Sequence, residues 1–171
     1  MDDVGRGGGV IGAQKGPGDV VVNNGGIGRR GSVEELAVGE LRAVMETNYF
    51  GAMRCIQAVL ASMRARGSGC IINITSVSGR ISSSPLGPYA ASKFALEALS
   101  EALAQEVKAL GIRVASEQPG IINTDMASAI AAEAEGSLYP PRRRLAGMFA
   151  ASLHTPARPE PVGDATPRAD A

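Results

Sequence analysis

The strongest constraint on the fold is a repeated change of hydrophobic period. The runs DVVVNN (Asp19 to Asn24), GCIINITS (Gly69 to Ser76) and IRVAS (Ile112 to Ser116) are apolar without alternation. That is the pattern of strands buried on both faces of a parallel sheet. Between them the period changes. Leu41, Met45, Asn48, Ala52, Ile56, Val59 and Met63 recur at steps of three and four, as do Leu96, Leu99, Leu103, Val107 and Leu110. Strand, helix, strand, helix, strand is the order that right-handed crossovers produce, so the chain is predicted to be α/β: part of a doubly wound parallel sheet with flanking helices, in three α/β/α layers.

The ends of these elements are also marked. Gly25-Gly26 ends the first strand, and Ser32 followed by Glu35 reads as a capping box for the first helix. A helix is expected from about Tyr89 to Leu110, stopped by Gly111. Ala91, Ala95, Ala98 and Ala102 give it a second, small-residue face on which another helix can pack closely. The third strand turns polar at Ser116-Glu117-Gln118, which should weaken it.

Residues 1–18 hold seven glycines and read as a flexible lead-in; 19–154 form one α/β domain; 155–171, with four prolines, read as a tail. Gly7 to Gly12 fits the spacing G-x-G-x-x-G, yet only six residues precede it and AQKGPG follows. No strand delivers that loop and no helix N-terminus follows to bind a phosphate, so the match is read as a coincidence of glycine richness.

Lys plus Arg and Asp plus Glu both total 17, which gives no net field toward nucleic acid, and Arg142-Arg143-Arg144 is too short a run to make a patch. Cys55 and Cys70 lie within apolar segments and read as reduced core thiols, while His154, the single histidine, stands without Cys or His neighbours, so no metal site is expected. The first residues lack a signal-peptide core, and no apolar run approaches a membrane span, so a cytoplasmic location is expected.

Chemistry gathers around Tyr89 and Lys93. Four apart at the start of a helix, they place a phenol and an ammonium on one face. A nearby cation lowers a phenol's pKa, and such a tyrosine can trade a proton with an alcohol or carbonyl near neutral pH. Ser76 closes the preceding strand, at the sheet edge where open α/β folds bind ligands. Asn48 stands on an apolar stripe, where an amide must find partners or cost about 1–3 kcal/mol.

The segments DVVVNNGG, ETNYFG, INITSVSG, YAASKFAL and EQPGIINTDM, in this order, resemble the short-chain dehydrogenase/reductase family across Asp19 to Met126. The resemblance implies a Rossmann-like sheet and an oxidoreductase that uses NAD or NADP to interconvert an alcohol and a ketone or aldehyde. It implies that Tyr89 is the general acid/base and also touches the coenzyme, that Lys93 lowers its pKa and holds the nicotinamide ribose, and that Ser76 orients the carbonyl. It further implies that Asn48 anchors a water in a proton relay, that Asn24 and Gly26 border the adenosine side of the cofactor, and that Ile122 and Thr124 contact the nicotinamide and pyrophosphate region.

Family members usually carry alanine where Gly25 stands, and they open with a strand, glycine loop and helix that this chain lacks, so the chain reads as a truncated member. Its implied partners are a small-molecule substrate and further copies of itself, joined through the two long helices, with neither nucleic acid nor membrane. The competing reading is a truncated, non-catalytic relative that serves as an oligomerisation or interaction module through those helices.

Overall fold

The computed structural model describes residues 20–29, 31–120 and 138–139. The expected lead-in, the tail, the Gly7 to Gly12 loop, Ile122 and Thr124 all lie outside the described residues.

The three apolar runs form the strands β1 (Val20–Asn23), β2 (Gly69–Ile74) and β3 (Ile112–Glu117), parallel throughout and ordered β1-β2-β3. The central strand is therefore the one with the longest apolar run. Val21, Ile71 and Val114 stand in register across the sheet. They face the helices α2 (Gly51–Arg66) and α3 (Gly87–Val107), where Ile56, Met63, Leu103, Val107 and Ile112 close the core around Ile71. Alternation along each strand turns Val20, Val22, Cys70 and Ile72 to the opposite face. On that face Cys70 and Ile72 are buried, whereas Val20 and Val22 on β1 are exposed. The arrangement is the expected parallel sheet with flanking helices.

The one or two helices predicted through Leu41 to Met63 are built in three pieces. After α1 (Val38–Met45) the chain widens into a π-helical turn at Glu46–Phe50, where the Gly51 N–H reaches back to the Glu46 carbonyl, and then continues as α2. Such a bulge inside an α-helix often marks a functional position. Here Asn48 lies within it.

Three local expectations are corrected. Ser32 and Glu35 close a turn, the Glu35 N–H bonding the Ser32 carbonyl at 2.9 Å, and the helix starts later, with the Glu40 carboxylate accepting from the Ala37 N–H at 3.3 Å. Helix α3 starts at Gly87, helped by Pro88 in its first turn, and ends at Val107; Leu110 is left exposed in a 3₁₀ turn (Lys108–Leu110) that tightens before Gly111. Nor do the polar residues interrupt the pairing of β3. Pairing runs to Ile74 opposite Glu117 and continues as Thr75 N–H to Glu117 O (2.8 Å) and Val77 N–H to Pro119 O (3.1 Å), because the ladder is made by backbone whichever side chains it carries.

Candidate active site

The C-terminal end of β2 and the first turns of α3 meet at one place. Ser76 stands two residues beyond the end of the strand and opens a 3₁₀ turn (Val77–Gly79), its hydroxyl accepting the Ser78 N–H at 3.1 Å. Tyr89 enters from the first turn of α3, is buried, and stands beside Ser76. One turn on, Lys93 donates to the Ile74 carbonyl at 2.7 Å, with its Nζ 5.7 Å from the centre of the Tyr89 ring. The strand-end serine, the phenol and the ammonium expected from the sequence are therefore neighbours.

Electrostatics differs from the expected simple lowering of the phenol by the lysine. Burial raises the Tyr89 phenol above its ordinary value, and the Ser76 hydroxyl partly offsets this. The same hydroxyl lies 3.5 Å from the Pro119 carbonyl, to which it donates. Burial also lowers Lys93, to about 8. Both groups are thus less charged at neutral pH than their free forms. Each holds its charge weakly enough that a change in surroundings can move it.

Asn48 is 1% exposed and fully engaged. Its Oδ1 accepts the Ile27 N–H at 2.8 Å, and its Nδ2 donates to the Ile27 carbonyl and to Ser92 Oγ, each at 2.9 Å. The polar residue on the apolar stripe is accounted for: it staples the loop after β1 to the π turn and to α3. With both N–H groups spent, only the second lone pair of Oδ1 is left for a relay water.

Asn24 and Gly26 are exposed in that stapled loop. A Cβ on Gly26 would stand 3.5 Å from Asn48 Oδ1 and 3.7 Å from Lys93 Nζ, so glycine leaves the space beside the ammonium open. This brings the candidate cofactor residues Asn24 and Gly26 to the same end of the sheet as Ser76, Tyr89 and Lys93.

Sequence reasoning missed several supporting groups. Asn23 Nδ2 donates to Asn73 Oδ1 across the strands, and Asn73 Nδ2 donates to Ser100 Oγ on α3, both at 2.8 Å. Glu97, 3% exposed, accepts from the Thr75 hydroxyl and pairs with Arg80 at 3.2 Å. The signal for Glu97 was its position, four residues after Lys93 and on the same helical face.

Residues 9–135 match the family described as short chain dehydrogenase. The chain belongs to the short-chain dehydrogenase/reductase family. Among its relatives, the Danio rerio dehydrogenase/reductase SDR family member 7B is 45% identical over 121 residues, which cover 71% of this chain and 39% of that protein. Of solved structures, the aldohexose dehydrogenase of Thermoplasma acidophilum superposes with a TM-score of 0.80 at 26% identity, covering 96% of this chain and 65% of that one. A gluconate 5-dehydrogenase of Burkholderia cenocepacia, in complex with NADP and tartrate, gives 0.72 at 29% identity, covering 91% and 67%. The chain thus spans about two fifths of the curated relative and about two thirds of these two structures. The short-chain dehydrogenase match begins ten residues before Asp19, at Gly9, where the sequence reading had placed a lead-in. No helix among the described residues is long and apolar enough to cross a membrane.

Proposed function

We propose that the chain carries the proton-transfer site of an NAD- or NADP-dependent oxidoreductase acting on an alcohol or its ketone or aldehyde. The observation that carries this reading is the meeting of Ser76, Tyr89 and Lys93 at the end of the central strand, with Ser76 beside the Tyr89 phenol and Lys93 tied to Ile74. A nicotinamide coenzyme, when bound, supplies or accepts the hydride. The protein's own residues handle the proton. Tyr89 gives its hydroxyl proton to a carbonyl oxygen, or takes one from an alcohol, while the Ser76 hydroxyl holds the same oxygen.

Lys93 has a double task on this reading. One N–H is engaged with Ile74, and an ammonium has three, so donors are left for ribose hydroxyls. Asn24 and the open space at Gly26 border the coenzyme, with Ile122 and Thr124 proposed to complete its site. Asn48 holds that border in place through Ile27. The NADP in the Burkholderia cenocepacia dehydrogenase supports a nicotinamide coenzyme here without deciding between NAD and NADP. Residues 19–154 are proposed as the domain, cytoplasmic and joined to further copies through α2 and α3.

The test is a titration of the full chain with NADH and NADPH, followed by nicotinamide fluorescence. Saturable binding that disappears in the Tyr89→Phe/Lys93→Ala double variant is expected. No binding at millimolar coenzyme would overturn the reading.

A further inference from the structure

We propose that Glu97 is the positioning residue that holds Ser76 against Tyr89, a step that rests on reading Ser76, Tyr89 and Lys93 as one reactive set. Tyr89, Lys93 and Glu97 follow one another at steps of four, so successive turns of α3 present one face to the end of β2. Each turn takes a different residue of that end. Tyr89 stands beside Ser76, Lys93 bonds the Ile74 carbonyl, and Glu97 bonds the Thr75 hydroxyl.

The Glu97 carboxylate grips the segment on both sides of Ser76. Thr75 precedes it directly, and Arg80, whose guanidinium pairs with Glu97 at 3.2 Å, closes the turn that Ser76 opens. Gly79, inside that turn, lies directly on α3: a Cβ there would come within 3.1 Å of both Glu97 Cγ and the Lys93 carbonyl. The Thr75 hydroxyl also lies 2.8 Å from the Glu117 carbonyl, which accepts the Thr75 N–H at 2.8 Å as well. Of the two acceptors within reach of the single hydroxyl proton, the Glu97 carboxylate is the stronger. An apolar side chain at 97 could fill the same space and would grip neither Thr75 nor Arg80. Burying a carboxylate is costly unless it is paired and hydrogen-bonded, and Glu97 is both.

The Tyr89 phenol reports the position of Ser76. Tyrosine-ring carbon NMR of the full chain, with Tyr89 assigned by Tyr89→Phe, follows its titration; the groups beside it are Lys93 on its own helix and Ser76 on the strand-end turn. Glu97→Ala is expected to move the titration up by about 0.5 pH unit or more, as is Ser76→Ala, and the two together no further than either alone. Removing a negative charge would by itself move the phenol down, so an upward move reports the lost Ser76 contact. Glu97→Gln, whose amide oxygen still accepts from Thr75, is expected to stay near the wild type.

An unmoved or lowered Tyr89 titration in a folded Glu97→Ala protein overturns the proposal. So does a shift to which Ser76→Ala adds in full. If Glu97→Ala does not fold, Thr75→Val, which removes the hydroxyl without changing charge, carries the same expectation and the same refutation. None of these measurements needs a coenzyme: failure to bind NADH or NADPH would sink the proposed function, and an unmoved phenol would sink the role of Glu97.

Discussion

Lys93 Nζ donates to the Ile74 carbonyl at 2.7 Å, which joins the helix of the candidate acid/base to the last residue of the central strand. Lys93 is 4% exposed, and its pKa falls to about 8 because burial opposes its charge. A residue proposed to serve the chemistry therefore burdens the fold at neutral pH.

That burden has a pH signature. Below pH 8 the lysine is protonated in both folded and unfolded chains; between 8 and 10.5 the unfolded chain holds more protons, so stability rises with pH across this window. Compared with Lys93→Met at each pH, the wild type is expected to gain about 3 kcal/mol between pH 8 and 10.5. The lost hydrogen bond adds only a constant offset. Tyr89 is present in both proteins and largely cancels; its raised pKa makes stability fall above pH 10 in each. Urea denaturation across this range checks the prediction, and a difference that does not change with pH would refute it.

Tyr89→Phe is expected to fold, because only the hydroxyl beside Ser76 is lost from a ring that stays buried. If the proposed function holds, turnover of an alcohol or ketone should fall about 10²–10⁴-fold while coenzyme binding, read by nicotinamide fluorescence, changes little. Equal loss of binding and turnover would give Tyr89 a binding role in place of proton transfer.

Asn48→Ala should cost about 1–3 kcal/mol, because it strips partners from the Ile27 N–H and carbonyl and from Ser92 in one step. Asn48→Asp should cost more, since a carboxylate cannot donate to the Ile27 carbonyl and would carry charge into a site only 1% exposed. Denaturant midpoints of the two variants order these effects. An aspartate variant as stable as the wild type would refute the staple.

The strands and long helices were legible because their signals are local: unbroken apolar runs at β1, β2 and β3, and steps of three and four along α2 and α3. Tyr89, Lys93 and Ser76 were legible as a set because helical spacing joins the first two and a strand end presents the third. The π turn was not. The Asn48 inside it bonds Ile27 and Ser92, residues 21 and 44 positions away, so no local spacing marks it. The grip of Glu97 on Thr75 was hidden for the same reason, since no spacing within one element links a helix carboxylate to a strand hydroxyl 22 residues earlier. Capping was misread at Ser32 because Ser and Glu at that spacing also suit a plain turn, which is what forms.

A last prediction compares two glycines that end helical turns. Gly67 follows α2 with φ of 67° and Gly111 follows the 3₁₀ turn after α3 with φ of 72°, both in the left-handed region. Conformation alone costs alanine about 1–2 kcal/mol at such a position. At Gly67 nothing lies within 4 Å of an added Cβ, so Gly67→Ala should cost only that amount. At Gly111 the added Cβ would lie 2.1 Å from the Gly67 carbonyl oxygen, a backbone atom that cannot rotate away. Gly111→Ala must therefore push apart the two turns that lead into β2 and β3, and it should lose clearly more stability than Gly67→Ala in paired urea titrations. Equal losses would show that the two turns do not touch in solution.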